Sequence, residues 1–136
     1  MAAPVDLLRR VPLFAELSDR DLERLAATFK ENTFSVGDAI ATEGKGGVGF
    51  FVIGEGTVEY SVGGEEKGSG DPGDYFGEVA LIDDGPRTAT VTATSDVTVY
   101  GLTPWEFRPL VDENASIAWE LLQAMAKRLR ATTAES

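Results

Sequence analysis

The sequence predicts a mainly β fold, an antiparallel sandwich or barrel with helices at both ends. Three observations carry that expectation. All 15 glycines fall between Gly37 and Gly101, leaving the first 36 and the last 35 residues without one. Within that window, short runs rich in Val, Ile, Thr, Phe and Tyr alternate with clusters of Gly, Asp, Pro and Ser, the pattern of short strands joined by turns. Charge divides the same way. Residues 1–30 carry five bases and five acids, residues 31–113 four and sixteen, and residues 114–136 three and two. One domain over 1–136 follows: a helical lead-in at 5–30, a β-barrel at 31–103 and C-terminal helices at 104–131. The 136 residues are enough for one core and too few for two ordinary domains.

In the lead-in, residues 5–10 form a short helix that Pro12 ends. Ser18 then caps a helix beginning at Asp19, with Asp21 placing favourable charge in its first turn. Leu22, Leu25, Ala26 and Phe29 recur at helical spacing and make its core face.

Six strands are expected in the middle: 33–36, 39–42, 50–53, 57–62, 88–94 and 97–102. Val58, Tyr60 and Val62 alternate with Thr57, Glu59 and Ser61, giving one buried and one wet face. Ala89, Val91 and Ala93 alternate with threonines, and such small inward residues suit a narrow barrel or a nearby ligand. Residues 44–49, Gly-Lys-Gly-Gly-Val-Gly, imitate a nucleotide loop. A strand follows where a helix should, so they read as a strand connection.

In the tail, Thr103 caps and Pro104 opens a helix to about Val111. A longer helix runs from about Asn114 to Arg130. Ile117, Leu121, Leu122, Met125 and Leu129 form its apolar band, with Trp119 beside it, and the plain expectation is packing on the barrel. A sharper one is that part of the band covers a ligand or meets another subunit. Lys127, Arg128 and Arg130 fall in its last turns, where the dipole favours cations.

The composition excludes much chemistry. The chain has no cysteine and no histidine, so thiolate zinc sites, iron–sulfur clusters, Cys nucleophiles, Ser-His-Asp hydrolysis and His-ligated metal enzymes cannot be built from it. An enzyme using carboxylates alone would need an acid pair, and none stands out by spacing. The net charge of -11 argues against nonspecific nucleic-acid binding. No apolar run nears the ~20 residues of a membrane span. Asp6, Arg9 and Arg10 interrupt any secretory signal, so the expected compartment is the cytoplasm.

One stretch breaks the strand pattern. Between Gly73 and Val91, a short apolar turn at 79–82 sits between Gly77-Glu78 and Gly85-Pro86. A single helical turn there cannot help the ladder. Its first amides are free to bind an oxygen anion, and Gly77 lets the backbone come close. Arg87, the only arginine between Arg24 and Arg108, brings a planar fork of donors matched to phosphate. Glu78 is an acceptor suited to a sugar hydroxyl, and Thr88 adds a hydroxyl beside the arginine. Asp83 and Asp84 lie near the proposed phosphate, either weakening the anion site or facing water.

Phe-Gly-Glu-Val-Ala-Leu-Ile (76–82), a short loop, then Pro-Arg-Thr-Ala-Thr-Val (86–91) closely resembles the phosphate-binding cassette of cyclic nucleotide-binding domains. Val11-Pro12-Leu13-Phe14, Phe34-Ser35-Val36-Gly37-Asp38, Glu43-Gly44 and Phe50 through Glu59 resemble the same family, so the likeness covers roughly 11–130. It implies an antiparallel β-roll or jelly-roll-like barrel with an N-terminal helical segment, a short phosphate-binding helix and C-terminal helices. It further implies a cassette at 76–91 whose ligand residues are Phe76, Gly77, Glu78, Val79, Ala80, Pro86, Arg87, Thr88 and Ala89. Glu78 would accept from the ribose 2'-hydroxyl and Arg87 would pair with the exocyclic phosphate oxygens. Ala80 and Thr88 would donate to the same phosphate. An apolar or aromatic residue of the last helix, Trp119 or Met125, would cover the base. The family often has an acidic and a small polar residue where Val48 and Gly49 stand.

The implied function is non-catalytic sensing of a 3',5'-cyclic nucleotide, with movement of the terminal helices as output. Cyclic AMP is favoured and cyclic GMP possible, since Thr88 suits the guanine 2-amino group. No cofactor or metal is implied. The partners are the nucleotide and a protein effector, with no nucleic acid and no membrane. The chain is a monomer or a weak homodimer through its C-terminal helix. The alternative is a degenerate member of the fold, acting as a protein-interaction module without ligand.

Overall fold

The computed structural model describes residues 3–42, 49–77 and 89–135. Helix α1 (Val5–Arg9) leads through a 3-10 turn (Pro12–Phe14) to α2 (Asp19–Thr28). The Ser18 hydroxyl accepts from the Asp21 amide at 3.2 Å, as the expected cap requires. Leu22, Leu25, Ala26 and Phe29 are all buried. The lead-in ends earlier than expected, because Lys30 already pairs with Gly101 as the first residue of β1 (Lys30–Phe34).

Seven further strands follow: β2 (Ala39–Ala41), β3 (Phe50–Glu55), β4 (Val58–Val62), β5 (Glu65–Gly70), β6 (Tyr75–Phe76), β7 (Thr90–Ala93) and β8 (Val97–Leu102). They form two four-stranded antiparallel sheets, in the orders β1-β8-β3-β6 and β2-β7-β4-β5. Two packed sheets with flanking helices match the expected β-roll. Two strands escape the sequence reading. Glu65–Gly70, Glu-Glu-Lys-Gly-Ser-Gly, has almost no apolar residue and reads as turn, yet it pairs along β4 as an edge strand. The Gly63-Gly64 link makes that possible. Both glycines have positive φ, 61° and 83°, the requirement of a two-residue hairpin turn matched to strand twist. Tyr75–Phe76 is too short to show a period.

Strand β3 explains the arrangement of the core. Phe50 and Val52 face the helices, joining a cluster with Phe14, Phe29, Leu25, Leu102 and Ile117. Phe51 and Ile53 face the other way, into the inter-sheet cluster of Ile40, Val58, Val91, Ala93 and Val99. A strand buried on both faces reads as a continuous apolar run, as this one does. In β4 the alternation fades toward the hairpin, where Val62 is exposed.

Helix α3 (Pro104–Glu113) starts where expected. The Thr103 amide and hydroxyl both donate to Glu106 Oε1, at 3.2 and 2.7 Å. Helix α4 (Ala115–Glu135) extends beyond Arg130, so Lys127, Arg128 and Arg130 precede the last turn. Its apolar band is only half used for packing. Ile117, Leu121 and Ala124 are buried, whereas Leu122, Met125 and Leu129 are exposed, as is Trp119 at 64%. The broad band splits because only one side of α4 meets the lead-in and α3. No helix among the described residues is long and apolar enough to cross a membrane.

Candidate functional site

The cassette expected from the sequence hangs between two fixed points. The first is the end of β6. Phe76 pairs with Phe51 across the ladder, with ring centroids 5.3 Å apart. It also meets Tyr60 edge to face at 6.2 Å. Phe76 is thus held by an aromatic from each sheet and is itself half-buried. Gly77 follows with φ of +84°, a conformation that costs an L side chain about 1–2 kcal/mol. The glycine expected to admit a close ligand therefore also takes a left-handed backbone conformation at the end of its edge strand. The second fixed point is the start of β7. Ala89 is half-buried, Thr90 pairs with Ser61, and Val91 and Ala93 are buried between the sheets.

Of the nine expected ligand residues, the structure places three. Phe76 and Gly77 lie on one side of the connection and Ala89 on the other. Glu78, Val79, Ala80, Pro86, Arg87 and Thr88 lie outside the described residues, as do the helical turn at 79–82, Asp83, Asp84 and most of the glycine-rich loop at 44–49. Within that last loop Gly49 is described. A Cβ there would meet the Leu102 carbonyl oxygen at 2.6 Å, so close packing against β8 accounts for glycine at that position.

The turn before β6 anchors the first fixed point. The Ile53 amide donates to the Asp74 carbonyl at 2.9 Å and the Gly73 amide to the Ile53 carbonyl at 2.8 Å. The Asp71 amide donates to Asp74 Oδ2 at 2.8 Å. Tyr60 feels these groups. Burial pushes its phenol up, and the carboxylates of Asp74 and Asp71 push in the same direction. Tyr60 therefore stays neutral, an aromatic face and a hydroxyl between the sheets. Along the chain it reads as an ordinary inward strand residue. Nothing in the local pattern marks its contact with Phe76, which comes from a different sheet.

A cleft of about 370 Å³ opens at the opposite end of β3, lined by Thr33, Phe34, Ser35, Asp38, Glu55 and Asp96 among others. Its carboxylates disfavour a phosphate. Among the described residues no group of His, Cys, Asp or Glu is arranged to hold a metal ion. Trp119 and Met125, the two candidates for covering a base, are both exposed on α4.

Comparisons with known proteins bear on this arrangement. The family model for the cyclic nucleotide-binding domain matches residues 31–114. A cAMP-dependent protein kinase regulatory subunit of Hypocrea atroviridis is 35% identical over 106 residues, covering 78% of this chain and 23% of the relative. The chain thus spans about a quarter of the length of such curated relatives. Among solved structures, the N-terminal domain of a transcriptional regulator from Streptomyces coelicolor A3(2) superposes with a TM-score of 0.86 at 39% identity, over 93% of this chain and 94% of that one. The cAMP-bound PfPKA-R superposes with a TM-score of 0.70 at 25% identity, over 90% and 45%.

Proposed function

Because this chain belongs to the cyclic nucleotide-binding domain family, we propose that it is a non-catalytic, cytoplasmic sensor of a 3',5'-cyclic nucleotide, cyclic AMP before cyclic GMP. The observation that carries the reading is the span of the family match. Residues 31–114 contain both fixed points and all nine proposed ligand residues in order. Relatives named as cAMP-dependent regulatory subunits, and PfPKA-R solved with cAMP, support the choice of base.

In this reading the whole chain, 1–136, is one sensing domain. Gly77 turns the backbone so that the amides after it, including that of Ala80, point at the ribose-phosphate. Glu78 accepts from the ribose 2'-hydroxyl. Arg87 forms paired charge-assisted bonds to the exocyclic phosphate oxygens, with Thr88 beside it. Phe76, Val79, Pro86 and Ala89 line the same ligand. The surplus of acid does not oppose this, because one phosphodiester needs one arginine and a few amides rather than an extended basic surface.

Binding shifts the terminal helices, and an effector protein reads that shift. The exposed stripe of Trp119, Leu122, Met125 and Leu129 on α4 is the surface available for the output, as a cover for the base or as a weak contact with a second copy.

The deciding experiment is calorimetric titration with cyclic AMP and with cyclic GMP, using Arg87→Leu as control. Heat with the parent and none with the variant supports the reading. A parent silent toward both nucleotides rejects it. Ligand at 100 times its dissociation constant should also stabilise the parent by ~2.7 kcal/mol.

A further inference from the structure

The contact between α2 and α4 contains two carboxyl groups where core packing would ordinarily place apolar ones. Asp21, on α2, is 3% exposed, and it is the one buried charged residue among those described. Its Oδ2 accepts from the Ser116 hydroxyl of α4 at 2.6 Å, and Arg24 Nη1 lies 3.6 Å from its Oδ1. Glu120, one turn along α4 from Ser116, accepts at Oε1 from the Ser18 amide at 3.2 Å. Its second oxygen, Oε2, is buried and has no partner as a carboxylate. A buried, unpaired charged oxygen is costly. The same oxygen carrying a proton becomes a donor, and the Asp21 carboxylate stands at the same contact, since Ser18 donates its amide to Glu120 and accepts at its hydroxyl from the Asp21 amide.

We propose that Glu120 and Asp21 share one proton across the α2–α4 contact, and that this proton latches the C-terminal helix onto the lead-in. The surrounding groups decide which carboxyl carries it. Asp21 already has a hydroxyl donor and a guanidinium on it, so it is the acceptor. Glu120 has only a backbone amide, so it is the proton carrier. The other charges at this contact are paired elsewhere. Arg9 of α1 binds Asp19, Arg24 also donates to Asn114 Oδ1, and Lys127 of α4 binds Glu16. No cation stands on Glu120 among these pairs.

The direction of the pH response follows. Burial raises the Glu120 carboxyl above its ordinary value, and the Asp21 charge adds to this against the opposing Ser18 amide. A raised acid means that the folded state holds more protons than the unfolded one. Its stabilisation is fully present below about pH 4.5 and is lost as pH rises through the raised value. Above that point two like charges face each other and α4 loosens from α2. The latch does not require a nucleotide, so its failure would leave the sensing proposal standing.

The test uses the full chain without ligand. Melting is followed at about pH 4.5, 6 and 7.5 for the parent, Glu120→Gln, Asp21→Asn and the exposed control Glu66→Gln. In Glu120→Gln the introduced side-chain amide donates to Asp21 at every pH. The Tm of Glu120→Gln should match the parent near pH 4.5 and exceed it by roughly 2–5 °C near pH 7.5. Glu66→Gln should track the parent throughout. Asp21→Asn should lose the parent's pH dependence in this window. Should Asp21→Asn not fold, amide exchange at residues 115–121 replaces it. Exchange in the parent should outpace that in Glu120→Gln near pH 7.5 and equal it near pH 4.5. A Tm gap between parent and Glu120→Gln that is the same at all three pH values overturns the latch.

Discussion

Phe50 is where the helical lead-in, the sheets and the site come together. Its ring is fully buried. It meets Phe14 edge to face at 5.4 Å and Phe29 at 5.9 Å, and it tilts against Tyr75 at 6.0 Å. Tyr75 immediately precedes Phe76 and Gly77, so one side chain ties the 3-10 turn and the end of α2 to the strand that leads into the proposed cassette. Phe50→Ala removes a whole buried ring from a site closed on all sides, and such truncations cost about 3–5 kcal/mol. That is a large share of a net stability of ~5–15 kcal/mol. At roughly 3–5 °C per kcal/mol for a chain of this size, Tm should fall by about 10–20 °C. Urea titration followed by circular dichroism measures the loss directly. Val36→Ala, at a side chain 65% exposed, should change stability by less than about 0.5 kcal/mol and serves as the control. A Phe50→Ala loss below about 1.5 kcal/mol would refute the claim that these three ring contacts close the core.

Two further outcomes are expected. Glu106 is pushed up by burial, but the bonds from the Thr103 hydroxyl, Lys30 and the Thr103 amide together outweigh this and hold it below its ordinary value. Its contribution is therefore present above about pH 4.5 and lost as pH falls through the lowered value, so Glu106→Gln should melt lower than the parent near neutrality and converge with it in acid; the size near neutrality should be about 1 kcal/mol, as for other helix caps. If α4 meets a second copy through its exposed stripe, Leu122→Glu should abolish concentration-dependent sedimentation at unchanged helical content. A parent that sediments as a monomer at every concentration would rule out the contact with a second copy.

The strands that could be read locally are those whose residues decide their own burial. Phe50–Ile53 is apolar throughout because both of its faces are covered, and Val91 and Ala93 alternate with threonines because only one is. Strand β5 was hidden because its stability comes from pairing with β4 across the Gly63-Gly64 turn rather than from side chains of its own. Helical period in α4 was plain, but period cannot tell which part of an apolar band is covered. Ile117 and Leu121 are buried, and Leu122 and Met125 stay exposed. The residue types and order of the proposed cassette are visible in the chain because the phosphate site proposed for it would need a glycine, a short turn and an arginine close together in sequence. The aromatic clamp on Phe76 was not, because Phe51 and Tyr60 reach it from two different sheets.

By itself, then, the sequence determined the class of fold from short-range pattern and composition, while its motifs carried the resemblance that pointed to the family and to the residues proposed to hold the ligand. Only the tertiary structure decided that Ser116 and Asp21, 95 residues apart, bond across two helices, and that the half-buried Glu120 brings a second carboxyl, with one oxygen buried, to the same contact. Along the chain, Asp21 is an ordinary first-turn acid and Glu120 an ordinary surface one. Burial raises the Glu120 carboxyl above its ordinary value, and burial is a property of the packed molecule alone.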